Sequence, residues 1–281
     1  MNMSGEEQKT LKGSLTEQTN GQTQATPQIF FQGYLRPLGR RSGAGELQRI
    51  FEAINSVSGE ARLRVERDRL TVRELDPGKV SLIEVFFPRE RFMFFEARQE
   101  GVIVFDPKEV VRRLSIAKSF KPPLKLVVYG DSLSLSGAEG VEVKVEAYEG
   151  GDVEALALNG LEAKARFNID SYELFKTLKN LYSFDEAFTI EVSPEKKSIV
   201  TIYTPNLGMV TLRVWGYRYA EPVKSSYRLD FALNFLGKAA RRGTNAIVEL
   251  LSRGKEEGRL FKITVDLGVA LVSYYQAPRI E

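Results

Sequence analysis

The sequence predicts an α+β fold in which antiparallel β-sheets carry a few helices on one face. Four windows of thirteen residues place apolar side chains at i, i+3, i+4 and i+7, which is the spacing of an amphipathic helix. Between these windows lie many short apolar or alternating segments, separated by gaps of hairpin length. Numerous short strands with such gaps favour antiparallel pairing, with the helices on one face of the sheets.

The predicted helices are amphipathic and most begin at a capping residue. They cover Gly45–Val57, Asp106–Lys118, Asp170–Tyr182 and Asp230–Arg242. Three of the four windows open with Asp, a good N-cap residue. Gly243 follows the last window, where we expect it to end the helix in the left-handed conformation.

The predicted strands fall into two groups, one in each half of the chain. The first group is Ile29–Leu35, Arg62–Val65, Leu70–Glu74, Val80–Phe87, Val102–Phe105, Leu124–Tyr129, Leu133–Ser136 and Val141–Tyr148. The second group is Ala163–Ile169, Phe188–Val192, Ile199–Tyr203, Met209–Tyr217, Ala246–Leu250, Leu260–Val265 and Val269–Tyr275.

The two halves resemble each other, which indicates an internal duplication. Phe105–Leu114 and Ile169–Leu178 share the pattern apolar-Asp-x-x-Glu-apolar-apolar-basic-x-Leu, and a strand signal precedes both. We therefore predict a first domain over 28–148, a connecting loop over 149–161 and a second domain over 162–281. Residues 1–27 hold few large apolar side chains, so we expect a disordered tail there.

The composition excludes most familiar catalytic machinery. The 281 residues include no Cys and no His, which rules out disulfides, thiol nucleophiles, Ser-His-Asp triads and imidazole metal ligands. We predict a protein that is not an enzyme and needs no cofactor or metal. A hydrolase or metal enzyme working from carboxylates alone is the alternative, although Asp76, Asp131 and Asp266 look like turn residues.

No segment approaches the length of apolar chain that spans a membrane, and the N-terminus lacks the apolar core of a signal peptide. We therefore expect a cytoplasmic protein with no membrane partner.

Positive charge is concentrated in the helical windows. The chain has a net charge of +3, and the windows hold ten bases: Arg49, Lys108, Arg112, Arg113, Lys118, Lys176, Lys179, Lys238, Arg241 and Arg242. All but one of their acids lie at a cap or in a first turn, where the helix dipole favours them. Each helix alone is compatible with a solvated face, but four together indicate a surface for weak, sequence-neutral contact with a polyanion.

Three segments carry a resemblance to a known family. Glu74–Ile83, which reads ELDPGKVSLI, resembles the "MDPSHVALI"-type segment of the proliferating cell nuclear antigen family of sliding clamps. Ser273–Glu281, which reads SYYQAPRIE, resembles that family's "YYLAPKIE" ending, and Phe231–Ala239 resembles the "LxYLxxFxKA" stretch that precedes it. The resemblance covers about 29–281 and identifies a divergent, archaeal-type member.

The resemblance implies two similar domains with two helices each, three subunits closing into a ring, and helices lining the central hole. The ten bases would then face double-stranded DNA without sequence preference, and the protein would be nucleoid-associated. Such a processivity factor is loaded by a clamp loader and tethers DNA polymerase and other DNA replication and DNA repair enzymes. Subunits would join edge strand to edge strand, and Val141–Tyr148 and Ile199–Tyr203 are the expected edges.

The resemblance also implies a pocket for client peptides with aromatic anchors. Matching positions are Leu75, Lys79, Val80, Leu82, Leu156, Leu158, Tyr275, Gln276, Ala277, Pro278 and Ile280. Gln276 stands where the family usually has Leu, so we expect a polar side chain at the pocket wall. This departure from the family pattern leaves an alternative open. The chain would then be a clamp-like paralogue that serves repair, checkpoint or another DNA transaction, as a homotrimer or as one subunit of a heterotrimer.

Overall fold

The computed structural model describes residues 28–38, 43–116, 120–151, 158, 160–196, 198–206, 208–219, 222–253 and 259–279. The predicted tail over 1–27 lies outside the described residues, as do Lys118, Leu156, Ile280 and most of the predicted connecting loop. The domain boundaries given above therefore stay a prediction.

The described residues form four α-helices and nineteen strands. The helices are α1 (Ala44–Asn55), α2 (Pro107–Ile116), α3 (Ser171–Tyr182) and α4 (Leu229–Ala239), with a single 3-10 turn at Arg89–Arg91. The strands up to the predicted connecting loop are β1 (Ile29–Leu35), β2 (Ala61–Val65), β3 (Arg69–Leu75), β4 (Ser81–Pro88), β5 (Phe92–Ala97), β6 (Gly101–Phe105), β7 (Leu124–Tyr129), β8 (Ser132–Ser136), β9 (Glu142–Glu146) and β10 (Tyr148–Glu149). The later strands are β11 (Glu162–Asp170), β12 (Ala187–Val192), β13 (Ile199–Thr204), β14 (Gly208–Arg213), β15 (Trp215–Tyr219), β16 (Val223–Arg228), β17 (Asn245–Ser252), β18 (Leu260–Asp266) and β19 (Leu271–Gln276).

The strands assemble into three antiparallel sheets. The first sheet has the order β5-β1-β7-β8-β9, and the smallest has the order β14-β13-β12-β16. The largest sheet has ten strands in the order β10-β6-β2-β3-β4-β19-β18-β17-β11-β15, so it runs from one half of the chain into the other. This arrangement of antiparallel sheets with four helices confirms the predicted fold class.

The two halves repeat the same architecture. Each half runs strand, helix, five strands, helix and three strands, and the first half adds the two-residue strand β10. The pairings match as well: β1 lies between β5 and β7 as β11 lies between β15 and β17, and β2 lies between β3 and β6 as β12 lies between β13 and β16. The internal duplication is therefore real, with α1 equivalent to α3 and α2 equivalent to α4.

The pattern that suggested this duplication does not join equivalent elements. Phe105–Leu114 spans the end of β6 and most of α2, whereas Ile169–Leu178 spans the end of β11 and much of α3. The true counterpart of α3 is α1, so that alignment was wrong although the duplication it indicated is correct. Two amphipathic helices with acidic first turns look alike whatever their place in the fold.

One strand pair connects the halves. β4 and β19 are antiparallel, with Val85 opposite Val272, Ile83 opposite Tyr274 and Leu82 opposite Tyr275. Val85, Ile83, Val272 and Tyr274 are buried in the main core. The core therefore passes through the junction between the halves without a break.

The helices form one layer against the inner faces of the sheets. Leu47, Ile50, Phe51 and Ile54 of α1 are all buried, as the helical spacing predicts. α1 packs against α2 within its half and against α4 across the junction, and α3 packs against α4. We call the opposite, helix-free side of the sheets the outer face.

Several predicted elements differ from the structure. α4 begins one residue before Asp230 and ends at Ala239, so Arg241 and Arg242 follow the helix instead of lying within it. Ala240 leaves the helix with extended backbone angles (φ −70°, ψ 138°), and Gly243, although left-handed (φ 73°), lies beyond the helix end.

The strand predictions missed two strands and merged two others. β5 and β16 were not predicted, and the predicted strand Met209–Tyr217 is divided into β14 and β15. Val141–Tyr148 contains the edge strand β9, as expected. The expectation for Ile199–Tyr203 was wrong, because β13 pairs on both sides, with β12 and β14, and β14 is the edge.

Candidate functional site

A second apolar cluster lies on the outer face, apart from the main core. Leu82 of β4 and Tyr275 of β19 are buried and stand directly opposite each other across the junction of the halves. Successive residues of a strand point to opposite faces, so these two point outward while Ile83 and Tyr274 point into the core. The members of this outer cluster are Leu75, Leu82, Leu158, Leu161, Leu251, Leu260 and Tyr275.

The structure thus brings together four of the predicted pocket residues: Leu75, Leu82, Leu158 and Tyr275. It adds Leu161, Leu251 and Leu260, which were not among the predicted pocket residues. Leu251 follows Leu250, which is buried in the main core. A strand with apolar side chains on both faces is the signal that identifies such a position.

Tyr275 is fixed by polar contacts at the edge of the outer cluster. Its hydroxyl donates a hydrogen bond to Glu84 Oε2 at 3.1 Å, and Lys262 Nζ lies 5.4 Å from the centre of its ring. Burial raises the pKa of the Tyr275 phenol, and the Glu84 carboxylate raises it further. The ring therefore presents a neutral, oriented aromatic face at physiological pH.

The turn between β3 and β4 is held by one buried carboxylate. Asp76 Oδ2 accepts the Gly78 N–H at 2.9 Å, and Asp76 Oδ1 accepts the Ser81 N–H and the Ser81 hydroxyl, the latter at 3.2 Å. Lys79 N–H bonds to the Asp76 carbonyl at 2.9 Å, and Lys79 takes the left-handed conformation at φ 56°. Lys79 is exposed at the tip of this turn, and Val80 is half-buried beside it.

The C-terminal segment is tied to both halves. Ala277 N–H donates to the Val80 carbonyl and Arg279 N–H donates to the Ser226 carbonyl, each at 2.8 Å. Ala277 and Pro278 are half-buried. They therefore lie beside the β3–β4 turn, next to Tyr275.

Gln276 does not take the expected place at the pocket wall. Its side chain is fully buried, and Nε2 donates to the Arg228 carbonyl at 3.0 Å. Because it follows Tyr275 in a strand, its side chain points away from the outer cluster. The amide therefore joins β19 to the end of β16. It adds no polar group to the pocket wall beside Tyr275.

The other predicted surface is the basic layer of helices. Among the nine predicted bases in the described residues, Arg49, Lys108, Arg112, Lys176, Lys179, Lys238 and Arg242 are exposed. Arg113 is half-buried and shares one oxygen of Glu109 with Arg112, at 2.7 and 2.8 Å. Those two hydrogen bonds lower the pKa of Glu109.

Two ion pairs join α1 to α4 and the loop after it. Lys238 Nζ lies 4.0 Å from Glu52 Oε2, and Arg241 Nη1 lies 3.2 Å from Glu46 Oε1. Glu46 is nearly fully buried, and the Arg241 side chain is 25% exposed. Arg241 therefore connects the two halves of the chain and offers less charge to the solvent than its neighbour Arg242.

The described part of the chain contains no group of three acidic side chains placed to hold a metal ion. Within the same residues, no helix is long and apolar enough to cross a membrane.

Comparisons with known proteins agree with this architecture. No family model matches the chain. A protein named DNA polymerase sliding clamp from Methanospirillum hungatei is 24% identical over 252 residues, covering 82% of this chain and 93% of the relative. A protein of the same name from Methanocella arvoryzae is 26% identical over 247 residues, with the same two coverages.

Solved structures show the same fold. The A. fulgidus proliferating cell nuclear antigen, bound to the C-terminal region of FEN-1, superposes with a TM-score of 0.68 at 20% identity and covers 89% of this chain and 99% of its own. The duplicated halves and the three sheets are thus those of proliferating cell nuclear antigen structures, and the sequence is similar to archaeal proteins named DNA polymerase sliding clamp.

Proposed function

We propose that this chain is a DNA sliding clamp: copies of it close into a ring around duplex DNA and tether DNA polymerase and other DNA replication and repair enzymes. The observation that carries the proposal is the duplication of the fold together with the unpaired edges of β9 and β14, the counterparts of β19 and β4. The proposal assigns the chain no catalytic step.

The duplication predicts how a second copy binds. β4 and β19 are edges of their own halves, and they pair with each other inside the chain. Their counterparts are β14 and β9, which are free edges in a single chain. Repeating the β4–β19 pairing between copies places β9 of one copy antiparallel to β14 of the next. Such a head-to-tail contact closes into a ring when the rotation that relates neighbouring copies divides a full turn evenly.

The inner pairs of β4 and β19 also set the register of this contact. Val85 and Ile83 face the core opposite Val272 and Tyr274. In β14, Leu212 and Val210 pack against the core, and in β9, Val143 and Val145 do so. Directly opposed residues of an antiparallel pair share a face, and the register that opposes both core-facing pairs places Val143 opposite Leu212 and Val145 opposite Val210.

This register brings opposite charges together. The residue before Val143 is Glu142, and the residue after Leu212 is Arg213, so these two side chains face each other between copies. Both are exposed in the single chain. Pairing buries the free edges of two sheets, which otherwise present unpaired backbone groups.

Repeating the contact puts the helix layer on the inside of the ring. The exposed bases of α1 to α4 then face the hole, where diffuse attraction to phosphates suits a ring that holds DNA by topology and must slide. The family resemblance supplies the number of three copies.

The outer cluster provides the docking site for clients. Leu75, Leu82, Leu251 and Tyr275 form an apolar surface beside the C-terminal segment. Aromatic anchors of an extended peptide bury apolar area there, and burial of that kind dominates the affinity of such interfaces.

A processivity assay tests the proposed function. A polymerase from a related archaeon should make longer products on a primed circular template when the chain and a clamp loader are added. Linearising the template should remove the effect, because a ring slides off a free end. Unchanged product length on the circle would contradict a replicative role; a purified chain that stays monomeric would instead favour the alternative of one subunit in a mixed ring.

A further inference from the structure

The outer face carries a row of directly opposed residues that leads away from the outer cluster. Leu75 is opposite Leu82, Leu82 opposite Tyr275, and Tyr275 opposite Lys262. The row continues through Glu249, Arg166 and Arg218, each opposite the previous one on the next strand. It therefore crosses seven strands and changes from apolar to charged at Lys262.

The charged end of this row has an excess of positive charge. Lys262 and Arg166 both bind Glu249, at 2.9 and 3.2 Å. Arg218 is exposed, and within the described residues it makes no ion pair. The nearby acid Glu162 is paired with Lys164 at 3.0 Å. Within the described residues, the one carboxylate of this row, Glu249, thus pairs with two of its three bases. We call Lys262, Arg166 and Arg218 the basic row.

The arrangement is unfavourable in the chain alone. Arg166 and Arg218 are direct cross-strand neighbours, and like charges in that position repel each other. An anionic group bound between them would remove the repulsion. The basic row lies on the outer face, whereas the helices that would face DNA lie on the other side of the sheet.

We propose that the basic row binds an acidic segment of the client proteins whose aromatic anchors fill the outer cluster, and that it thereby selects among clients. This inference rests on the proposed client-docking function. The row is continuous with the outer cluster, so one peptide can occupy both. An acidic protein segment is favoured over nucleic acid for that reason.

The strand spacing predicts where the acidic residues lie. Neighbouring strands are about 4.8 Å apart, so Arg166 and Arg218 are about 14 and 19 Å from Tyr275 across the sheet. An extended peptide advances about 3.3 Å per residue. Acidic residues about four to six positions from the aromatic anchors would therefore reach the basic row.

Fluorescence anisotropy with four labelled peptides tests the inference on the full chain. All carry the same aromatic anchors; a block of Glu or of Gln is placed about five residues before or after them. One of the two Glu peptides should bind about three- to tenfold more tightly than its Gln twin at low salt, and the gain should vanish at high salt. Equal affinities for both pairs of twins would overturn the inference.

Charge variants locate the effect. Arg218→Glu should abolish most of the gain, and its new carboxylate can pair with Arg166, so the fold is preserved. Arg166→Gln should reduce the gain as well. Lys196→Glu, a control at the exposed turn before β13, should leave it unchanged. Loss of the gain in the control to the same extent would overturn the inference.

Three further outcomes separate the possible failures. If the Gln peptides bind and the Glu peptides bind no better, the outer cluster docks clients but the basic row does not select them. If no peptide binds, the client-docking function fails and the inference fails with it. If Arg218→Glu weakens binding of a short DNA duplex and leaves the peptides unchanged, the basic row is a nucleic-acid contact and the inference is wrong.

Discussion

Tyr275 and Leu82 lie directly opposite each other on β19 and β4, and the strand pair that carries them is the one that joins the two halves of the chain. Their side chains point to the outer face and build the outer cluster, while their neighbours Tyr274 and Ile83 complete the main core. The proposed client site thus depends on the junction between the halves, and neither half contains it alone.

Replacing Tyr275 with Ala should abolish docking of clients and leave the assembly intact. The aromatic side chain of Tyr275 is buried and central to the outer cluster. Loss of such an anchor costs about 2 kcal/mol or more of binding free energy, which weakens binding about thirtyfold. Peptide binding measured by anisotropy, together with the solution mass, checks this.

A matched control exists in the first sheet. Tyr129 has Lys144 at 5.6 Å from its ring, much as Tyr275 has Lys262, but it lies outside the outer cluster. Tyr129→Ala should bind peptides normally. Equal loss in both variants would mean that the effect is on general stability and not on the site.

Reversing exposed charges on the helices should weaken DNA binding in a salt-dependent way. We choose Arg49, Arg112, Lys176 and Lys179, all exposed in the described helices. Replacing all four with Glu should lower the slope of log K against log salt by up to about four, since each phosphate contact releases counterions. Titration of a short duplex at several salt concentrations measures that slope.

Four exposed bases elsewhere serve as the control set: Arg98, Lys144, Lys196 and Lys224. Their reversal changes the net charge equally but leaves the helix layer intact. If both sets lower the slope by the same amount, DNA responds to net charge alone, and the helix layer is not the DNA-facing surface.

Arg241 should behave differently from Arg242, its neighbour. Its partner Glu46 is buried, so Arg241→Ala removes an ion pair from a buried carboxylate at the junction of the halves and should lower the free energy of unfolding by about 3 kcal/mol. Arg242 is exposed, and Arg242→Ala should change it little. Urea unfolding of the two variants compares them; equal stabilities would mean that the Glu46–Arg241 pair does not hold the junction.

The stability should fall as the pH rises toward neutrality, because of Glu74. Burial raises the pKa of this carboxyl from 4.5 to about 7, although hydrogen bonds from Arg62 oppose the shift. Between these values the folded chain keeps a proton that the unfolded chain has lost, so the contribution of Glu74 to stability is complete below pH 4.5 and is lost as the pH rises to about 7. The loss is of the order of 3 kcal/mol.

Urea unfolding across this pH range measures the effect. Glu74→Gln should flatten the fall, because the side chain no longer titrates. Glu96→Gln should not, since hydrogen bonds from Gln32 and Arg98 lower the pKa of Glu96. A fall that persists unchanged in Glu74→Gln would assign the pH dependence to another group.

The helices and most strands were predictable because their signals are local. Asp170 caps α3 through the N–H groups of Tyr172 and Glu173, as its position before an apolar-periodic segment indicates. β5 was missed because Phe92, Met93, Phe94 and Phe95 follow one another without alternation. β16 was missed because its sequence, VKSSYR, is largely polar, and only the fold buries Val223, Ser225 and Tyr227.

The site was only partly predictable, because its members meet through long-range pairing. Leu251 and Leu260 join Tyr275 only once β17, β18 and β19 are aligned. The edge strand was misplaced for the same reason: the sequence of β13 does not say that β14 will cover its second side. Nor does the sequence say that α4 ends before Arg241, whose placement follows from its contact with Glu46.

The solution mass of the purified chain, measured by light scattering, tests whether copies of the chain close into a ring. We expect a mass near three times 31.6 kDa. We also expect Glu142→Arg or Arg213→Glu alone to shift the equilibrium toward monomers, and the double exchange to restore assembly, because the two side chains face each other between copies. A chain that stays at the monomer mass, or an assembly indifferent to both substitutions, would contradict the pairing of β9 with β14.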